Sequence, residues 1–295
     1  MRKKAAVFIL LGQSNAVGHG IPMEEKDIIK LPLKNVFGLS RDKNQTYSNS
    51  DLIWQGYTSF GMNLAENQDN TYSLVNQLAK QWQSRIDAEQ NSKIPDLYIV
   101  QIAIGAQGIT EKYMWYPERA KKLIPGKLGT VDISLYPFTM HILSLIEKSF
   151  RNMNTEYEII GVHWRGGEED MCEPGNMLAC KLGGLYERLI LDVNAILDNP
   201  PIVFHKICCP DRAMDCDHSG KQLSKMNYIN SVFDEKASNF DNVSVFDPTK
   251  YPLFLRNVRG NGLFINDAVH YTPEVNDWVA ETILEQYLLS REPSP

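Results

Sequence analysis

The chain of 295 residues is 43% hydrophobic and 22% charged, with a formal net charge of −6, which predicts one globular, enzyme-sized domain spanning residues 1–295. Its lysines and arginines are scattered, which excludes the clustered positive charge that a nucleic-acid partner needs. No apolar run approaches the roughly 20 residues of a membrane helix, so no membrane partner is expected.

The first predicted element is an apolar strand at residues 5–11, preceded by Arg2, Lys3 and Lys4. Positive charge before an apolar run is also typical of a signal peptide, but this run is short and leads directly into a candidate catalytic motif. We therefore interpret it as a core strand. A cytoplasmic protein is expected, with secretion as the alternative.

Four further apolar runs bounded by turn residues predict strands buried on both faces. They lie at residues 97–104, 157–164, 202–208 and 243–246. Between the runs, apolar residues recur three or four positions apart, which is typical of helices. Examples are Leu74, Leu78 and Trp82 in one segment and Leu182, Leu185 and Leu189 in another.

A last helix is predicted to begin at Pro273, with Thr272 as its N-terminal cap. Strands and helices thus alternate along the chain, and such alternation favours parallel strands joined by right-handed crossovers. We predict an α/β fold, a three-layer α/β/α sandwich with a mainly parallel five-stranded sheet of flavodoxin-like type.

Two stretches, residues 19–70 and 106–133, have little regular pattern. Long excursions of this kind often cover a binding site. The second contains Trp115 and Tyr116, for which two interpretations remain open. The aromatic rings either stack on a sugar or hold the loop in place.

Five cysteines, at positions 172, 180, 208, 209 and 216, have no CxxC spacing. We favour free thiols over a disulfide for a chain with no recognisable signal peptide. A zinc site built from Cys208, Cys216 and His218 is disfavoured because this ligand spacing matches no common structural site. No metal or cofactor is expected.

The first motif, Gly12-Gln13-Ser14-Asn15, directly follows the first predicted strand. Ligands of open parallel sheets bind beyond the carboxyl ends of the strands, so Ser14 is well placed as a nucleophile. Its own backbone N–H is also placed to bind an oxyanion. The alternative is an ordinary strand-to-helix turn in which Ser14 or Asn15 caps the helix.

The last motif combines Asp267 with His270, just before the final predicted helix. An aspartate three residues before a histidine can accept the imidazole N–H and leave the other ring nitrogen free to deprotonate a serine. On its own this spacing is a weak signal.

Together the two motifs resemble those of the SGNH hydrolase superfamily, and within it the sialate O-acetylesterase and acetylxylan esterase group, carbohydrate esterase family six. Gly105, after the second long strand, resembles the glycine of the family's second block. The segment from Trp164 to Asp170, after the third, resembles its third block. Four blocks in the right order are a much stronger signal than any one of them.

The resemblance implies an SGNH hydrolase fold and a serine esterase that removes O-acetyl groups from carbohydrate. It implies Ser14, His270 and Asp267 as the catalytic triad, with the oxyanion bound by the N–H groups of Ser14 and Gly105. The family usually has a glutamine where this chain has Gly166. Three substitutes remain open: Arg165, Gln107, or a backbone N–H at Gly166 itself.

Other residues of the motifs are expected to support the site. Glu168 and Asp170 are predicted to orient the first motif through its backbone or Gln13, and Asn15 is also assigned a supporting role. Glu168 as the acid partner of His270 is the less favoured alternative to Asp267. His19 and Arg165 are further candidates for lining the substrate pocket.

Two alternative functions are kept open. The glycine at position 166 and the aromatic loop are compatible with a glycan-binding pseudo-esterase that does not turn over substrate. The same scaffold also serves acyltransferases and hydrolases of lipid or thioester substrates. A reaction of Ser14 with a fluorophosphonate separates the first alternative from an esterase.

Overall fold

The computed structural model describes residues 4–21, 23–41, 51–62, 71–88, 94–118, 122–124, 131–208, 221–252 and 269–291. Its strands follow the apolar runs of the sequence closely. In chain order they are β1 (Lys4–Gly12), β2 (Val36–Leu39), β3 (Trp54–Gly56), β4 (Asp96–Ala103), β5 (Lys122–Ile124), β6 (Val131–Ile133), β7 (Glu156–Arg165), β8 (Ile202–His205) and β9 (Val243–Phe246).

The helices follow the segments with helical spacing. In chain order they are α1 (Ser14–Val17), α2 (Leu74–Ala88), α3 (Leu135–Ser144), α4 (Ile146–Asn152), α5 (Gly175–Leu197), α6 (Lys221–Asn239) and α7 (Pro273–Leu289). The cap predicted for the last helix is confirmed, since the Thr272 side chain accepts a hydrogen bond from the Val275 N–H at 3.4 Å.

The main sheet has seven strands in the order β3-β2-β4-β1-β7-β8-β9, with β1 at its centre. All neighbouring pairs are parallel except β2 with β3, which are antiparallel. The mainly parallel sheet is therefore confirmed, but the predicted number of five strands is wrong. The two additional strands are only four and three residues long, and such short segments have no detectable periodicity.

Side chains of the central strand alternate between two apolar layers, as the two-residue period of a strand requires. On one side Val7, Ile9 and Leu11 pack among residues of α3, α4, α5 and α6. On the other side Phe8 and Leu10 pack among residues of α1, α2 and α7. Helices thus cover both faces, and the predicted three-layer arrangement is confirmed.

None of the helices in the described part of the chain is long and apolar enough to cross a membrane.

Candidate active site

The first motif forms a tight turn at the carboxyl end of the central strand. Gly12 has a φ of +142°, and a Cβ atom there would lie 2.0 Å from the carbonyl oxygen of Arg165. The next residue, Gln13, donates its backbone N–H to that same oxygen at 2.9 Å. Ser14 then begins the short helix α1 and is buried but for 6% of its surface. The close approach that only glycine permits therefore holds the serine turn against β7.

The side chain of Asn15 joins this turn to the loop that carries His270. Its amide nitrogen donates to the carbonyl of Val269 at 3.0 Å, and its amide oxygen accepts from the N–H of Tyr271 at 3.2 Å. These two backbone groups flank His270 on either side. The structure therefore brings the predicted base to the serine turn, although the two residues are 256 positions apart in the sequence.

His19 and His270 are neighbours. Their ring centroids lie 6.0 Å apart with the ring planes almost perpendicular, so the structure places His19 beside His270. Asp267, the predicted acid partner, lies outside the described residues.

Glu168 contacts the first motif through Asn15. One of its carboxylate oxygens accepts from the Asn15 amide nitrogen at 2.8 Å, and the other is buried with no hydrogen-bond partner in the described part of the chain. Burial raises the pKa of Glu168, against the opposing effects of the Asn15 hydrogen bond and of the nearby Arg165 guanidinium group. This buried carboxylate thus fixes the amide that holds the His270 loop.

Asp170 supports the second motif rather than the first. Its carboxylate accepts from the N–H groups of Ile109 and Thr110, at 3.0 and 3.2 Å, and from the Thr110 hydroxyl. A Cβ atom at Gly108 would lie 2.3 Å from that carboxylate. The loop after β4 is therefore bound tightly to Asp170. The contact with the first motif that was expected from the Asp170 side chain is made by backbone groups instead. The side chain oxygen of Gln13 accepts hydrogen bonds from the N–H groups of Gly167 and Glu169, both at 3.5 Å.

The stability of the fold should depend on the protonation of Asp170. Its side chain is fully buried, and burial raises its pKa from 3.8 to about 7. Between these values the folded chain keeps a proton that the unfolded chain releases. The free energy of unfolding is therefore expected to fall as the pH rises from about 4 to about 7, by at most about 1.4 kcal/mol per unit.

Urea unfolding of the wild type and of Asp170→Asn across this pH range measures the effect. The variant cannot titrate at this position, so its free energy of unfolding should depend less steeply on pH. Parallel profiles for the two proteins would contradict the expectation.

Among the candidate oxyanion donors, Gln107 is half-buried in the loop after β4. Its side chain oxygen accepts from the Met114 N–H at 3.0 Å, and its amide nitrogen has no hydrogen-bond partner among the described residues. Ser14 is the first residue of α1, so its backbone N–H lacks an intrahelical acceptor. Gly105 follows β4 and is partly exposed.

Gly166 lies against the indole of Trp164. A Cβ atom at this position would be 3.3 Å from the indole ring, and the Gly166 carbonyl accepts from the indole N–H at 3.1 Å. Larger side chains therefore fit here only if the indole shifts by a few tenths of an ångström.

Arg165 is neither an oxyanion donor nor a substrate contact. Only 2% of its surface is exposed, and its side chain runs into the layer of α7. There it donates to the side chain oxygen of Asn276 at 2.8 Å and lies over the ring of Tyr271 at 4.8 Å. The predicted substrate role is wrong. Successive strand residues point to opposite faces of the sheet, and the Arg165 side chain points to the face that α7 covers.

Trp115 does not stack on a ligand either. It is fully buried, donates its indole N–H to the carbonyl of Gly12 at 3.0 Å, and packs edge to face on Trp164 at 4.9 Å. Its role is to fasten the loop to the serine turn. Tyr116 is half-buried, and its backbone N–H donates to Tyr113.

A pair of buried histidines lies next to Arg165 in the sheet. His163 and His205 form a hydrogen bond of 2.9 Å between their rings. Burial lowers the pKa of His163 to about 3 and that of His205 well below its ordinary value. Both are therefore neutral core residues.

Three of the five cysteines belong to the described part of the chain. Cys172 and Cys180 are exposed and Cys208 is buried, whereas Cys209, Cys216 and His218 lie outside the described residues. Within the described part, no group of three or more potential ligands is arranged to hold a metal ion.

Several solved structures resemble this chain in fold. A protein from Arabidopsis thaliana is 17% identical with a TM-score of 0.58, over 96% of this chain and 98% of that one. NanS is 14% identical with a TM-score of 0.61, over 98% and 99%. A carbohydrate acetylesterase from Xanthomonas citri is 12% identical with a TM-score of 0.47, over 94% and 54%.

The first two likenesses span nearly the full length of both chains and show a shared fold. The fold they share with this chain is the α/β sandwich with its seven-stranded mixed sheet. No protein-family model and no curated protein matches the sequence.

Proposed function

We propose that this protein is a serine esterase of the SGNH type that removes small acyl groups, chiefly acetyl, from carbohydrate. The observation that carries the proposal is the Asn15 side chain, which bonds to the backbone on both sides of His270 and so holds the base beside Ser14. A serine and a histidine brought together at the carboxyl end of a central parallel strand are arranged for acyl transfer.

The reaction has two steps. His270, oriented by Asp267, takes the proton of the Ser14 hydroxyl as its oxygen attacks the acetyl carbonyl carbon. The tetrahedral intermediate collapses, the C–O bond to the sugar breaks, and His270 returns the proton to the departing sugar oxygen. Water then attacks the acetyl-enzyme with the same base and releases acetate and free Ser14.

The oxyanion is bound by the N–H groups of Ser14 and Gly105, with Gln107 as the third donor in place of the family's glutamine. Two contacts support Gln107. Its side chain oxygen accepts a hydrogen bond from the Met114 backbone N–H. The next residue, Trp115, donates its indole N–H to the carbonyl of Gly12, two residues before the nucleophile. The Gln107 amide nitrogen thus belongs to a loop that is fixed to the turn carrying Ser14. Preorganised hydrogen-bond donors of this kind usually give the largest single contribution to transition-state stabilisation.

Replacing Gln107 tests this assignment. Gln107→Glu keeps an oxygen for the Met114 N–H but removes the amide donor, and it is expected to lower kcat about a hundredfold while leaving KM little changed. Gln107→Ala should have a similar effect. A Gln107→Glu variant with normal kcat would show that the side chain only anchors the loop.

The proposed function is tested by hydrolysis of p-nitrophenyl acetate and butyrate, followed by acetylated xylo-oligosaccharide and O-acetyl sialic acid. Turnover with a preference for acetyl is expected, together with labelling of Ser14 by a fluorophosphonate probe. Faster turnover of long acyl chains would favour a lipid esterase.

Folded protein that neither reacts with the probe nor hydrolyses any ester would favour a glycan-binding protein. One argument for that alternative is already weaker, because the Trp115 ring is buried and is not available to a sugar.

A further inference from the structure

Arg165 is a buried cation whose direct contacts are with neutral groups, and the buried Glu168 carboxylate favours its charge without forming an ion pair with it. Its side chain donates to the Asn276 amide oxygen at 2.8 Å and covers the ring of Tyr271, while its Nε atom is buried with no hydrogen-bond partner among the described residues. In the described part of the chain no carboxylate forms an ion pair with it. An apolar side chain would fill the same space without the desolvation cost of a buried charge, so packing alone does not explain an arginine here.

The contacts of Arg165 join the two halves of the candidate site. Its backbone carbonyl accepts from the Gln13 N–H at 2.9 Å, directly beside Ser14. Its side chain contacts Tyr271, the residue after His270, and Asn276, in the first turn of α7. One residue therefore holds the serine turn through its backbone and the histidine loop through its side chain.

The guanidinium group suits this arrangement for a geometric reason. It is planar, so one face can lie on the Tyr271 ring while an edge N–H donates to Asn276. Asn276 is in turn fixed to the loop, because its backbone N–H donates to the Thr272 carbonyl at 3.3 Å. The contacts thus hold the segment on the C-terminal side of His270, whereas Asn15 holds its two immediate neighbours.

We propose that Arg165 is a positioning residue that sets the orientation of the His270 ring toward Ser14, acting through Tyr271 and Asn276. This inference rests on the proposed function. Displacing a catalytic group by about 1 Å can cost about a hundredfold in rate. Loss of the Arg165 side chain should therefore lower kcat while leaving substrate binding nearly unchanged.

The first test compares Arg165→Met with Arg165→Lys. Both are expected to lower kcat about tenfold to a hundredfold with little change in KM, because lysine keeps the charge but loses the planar contact with the ring. Full activity of either variant would overturn the proposal. Arg85→Met is the matched control, since Arg85 also contacts α7, through Glu285 at the surface, and its loss should leave kcat unchanged.

A double-mutant cycle with Tyr271→Leu tests whether Arg165 acts through the ring. Arg165→Met and Tyr271→Leu together should lower kcat no further than the stronger single change, whereas independent effects would multiply. If Arg165→Met fails to fold, Asn276→Ala replaces it, because it removes the hydrogen bond and leaves the arginine in place. A normal kcat for Asn276→Ala would then overturn the proposal.

Crystal structures of the wild type and Arg165→Met address the same question without any turnover. A displaced His270 ring in an otherwise unchanged fold is the expected result, and an unmoved ring would overturn the inference. This readout separates failure of the positioning role from failure of the esterase assignment, which the ester substrates and the fluorophosphonate probe test in the wild type.

Discussion

Ser14→Ala is expected to lower kcat for p-nitrophenyl acetate by about a thousandfold to a millionfold. Removal of the nucleophile from a serine hydrolase leaves only the residual effect of substrate binding and the oxyanion hole. The change deletes one oxygen from a side chain at the first position of a short helix, so the fold should persist. Steady-state kinetics and a thermal unfolding curve measure the two quantities separately.

Ser84→Ala is the matched control, because Ser84 lies exposed on α2, away from the turn that carries Ser14. It should retain wild-type kcat and lose no fluorophosphonate labelling. Equal turnover by the wild type and Ser14→Ala would contradict the mechanism and assign any activity to a different group.

The second large effect identifies the acid partner of His270. Asp267→Asn is expected to lower kcat about ten-thousandfold, since an amide in this place holds the imidazole in the wrong tautomer. Glu168→Gln should cost only about tenfold, because a glutamine still offers an oxygen to Asn15. The kcat values of the two variants, measured side by side with His270→Ala, give the ranking.

The opposite ranking would assign the acid role to Glu168, whose second carboxylate oxygen is buried and has no hydrogen-bond partner within the described residues. A normal circular dichroism spectrum for each variant is the necessary control, because Glu168 also holds the amide that fixes the His270 loop.

The sequence was a good guide to the sheet wherever strands are long. β1, β4 and β7 have eight to ten residues each, and burial on both faces makes such strands continuous apolar runs. The short strands β2 and β3, at one end of the sheet, were missed because a few residues between irregular segments have no measurable period. β2 forms by pairing with β4, and β3 by pairing with β2. Local sequence does not encode such tertiary contacts.

Residues of the site were predictable where they follow a strand or precede a helix. Ser14 and His270 were placed by this rule, and the structure brings their segments together. The interpretation of Trp115 as a sugar contact failed because residue type does not reveal which way a loop side chain faces. Asn276 was missed, although a polar residue between the apolar positions Val275 and Val279 is a signal that could have identified it.

The contact between Asn15 and the His270 loop also bears on how the protein acquires activity. The bonded residues are 254 and 256 positions apart, so the ribosome completes β1 long before it makes the base. Bringing Asn15 and the His270 loop together closes a long loop of chain, which costs conformational entropy. We expect this step to depend on the docking of α7. In refolding experiments, recovery of hydrolysis should therefore lag behind recovery of secondary structure, which would make enzyme activity a reporter of the final step of folding.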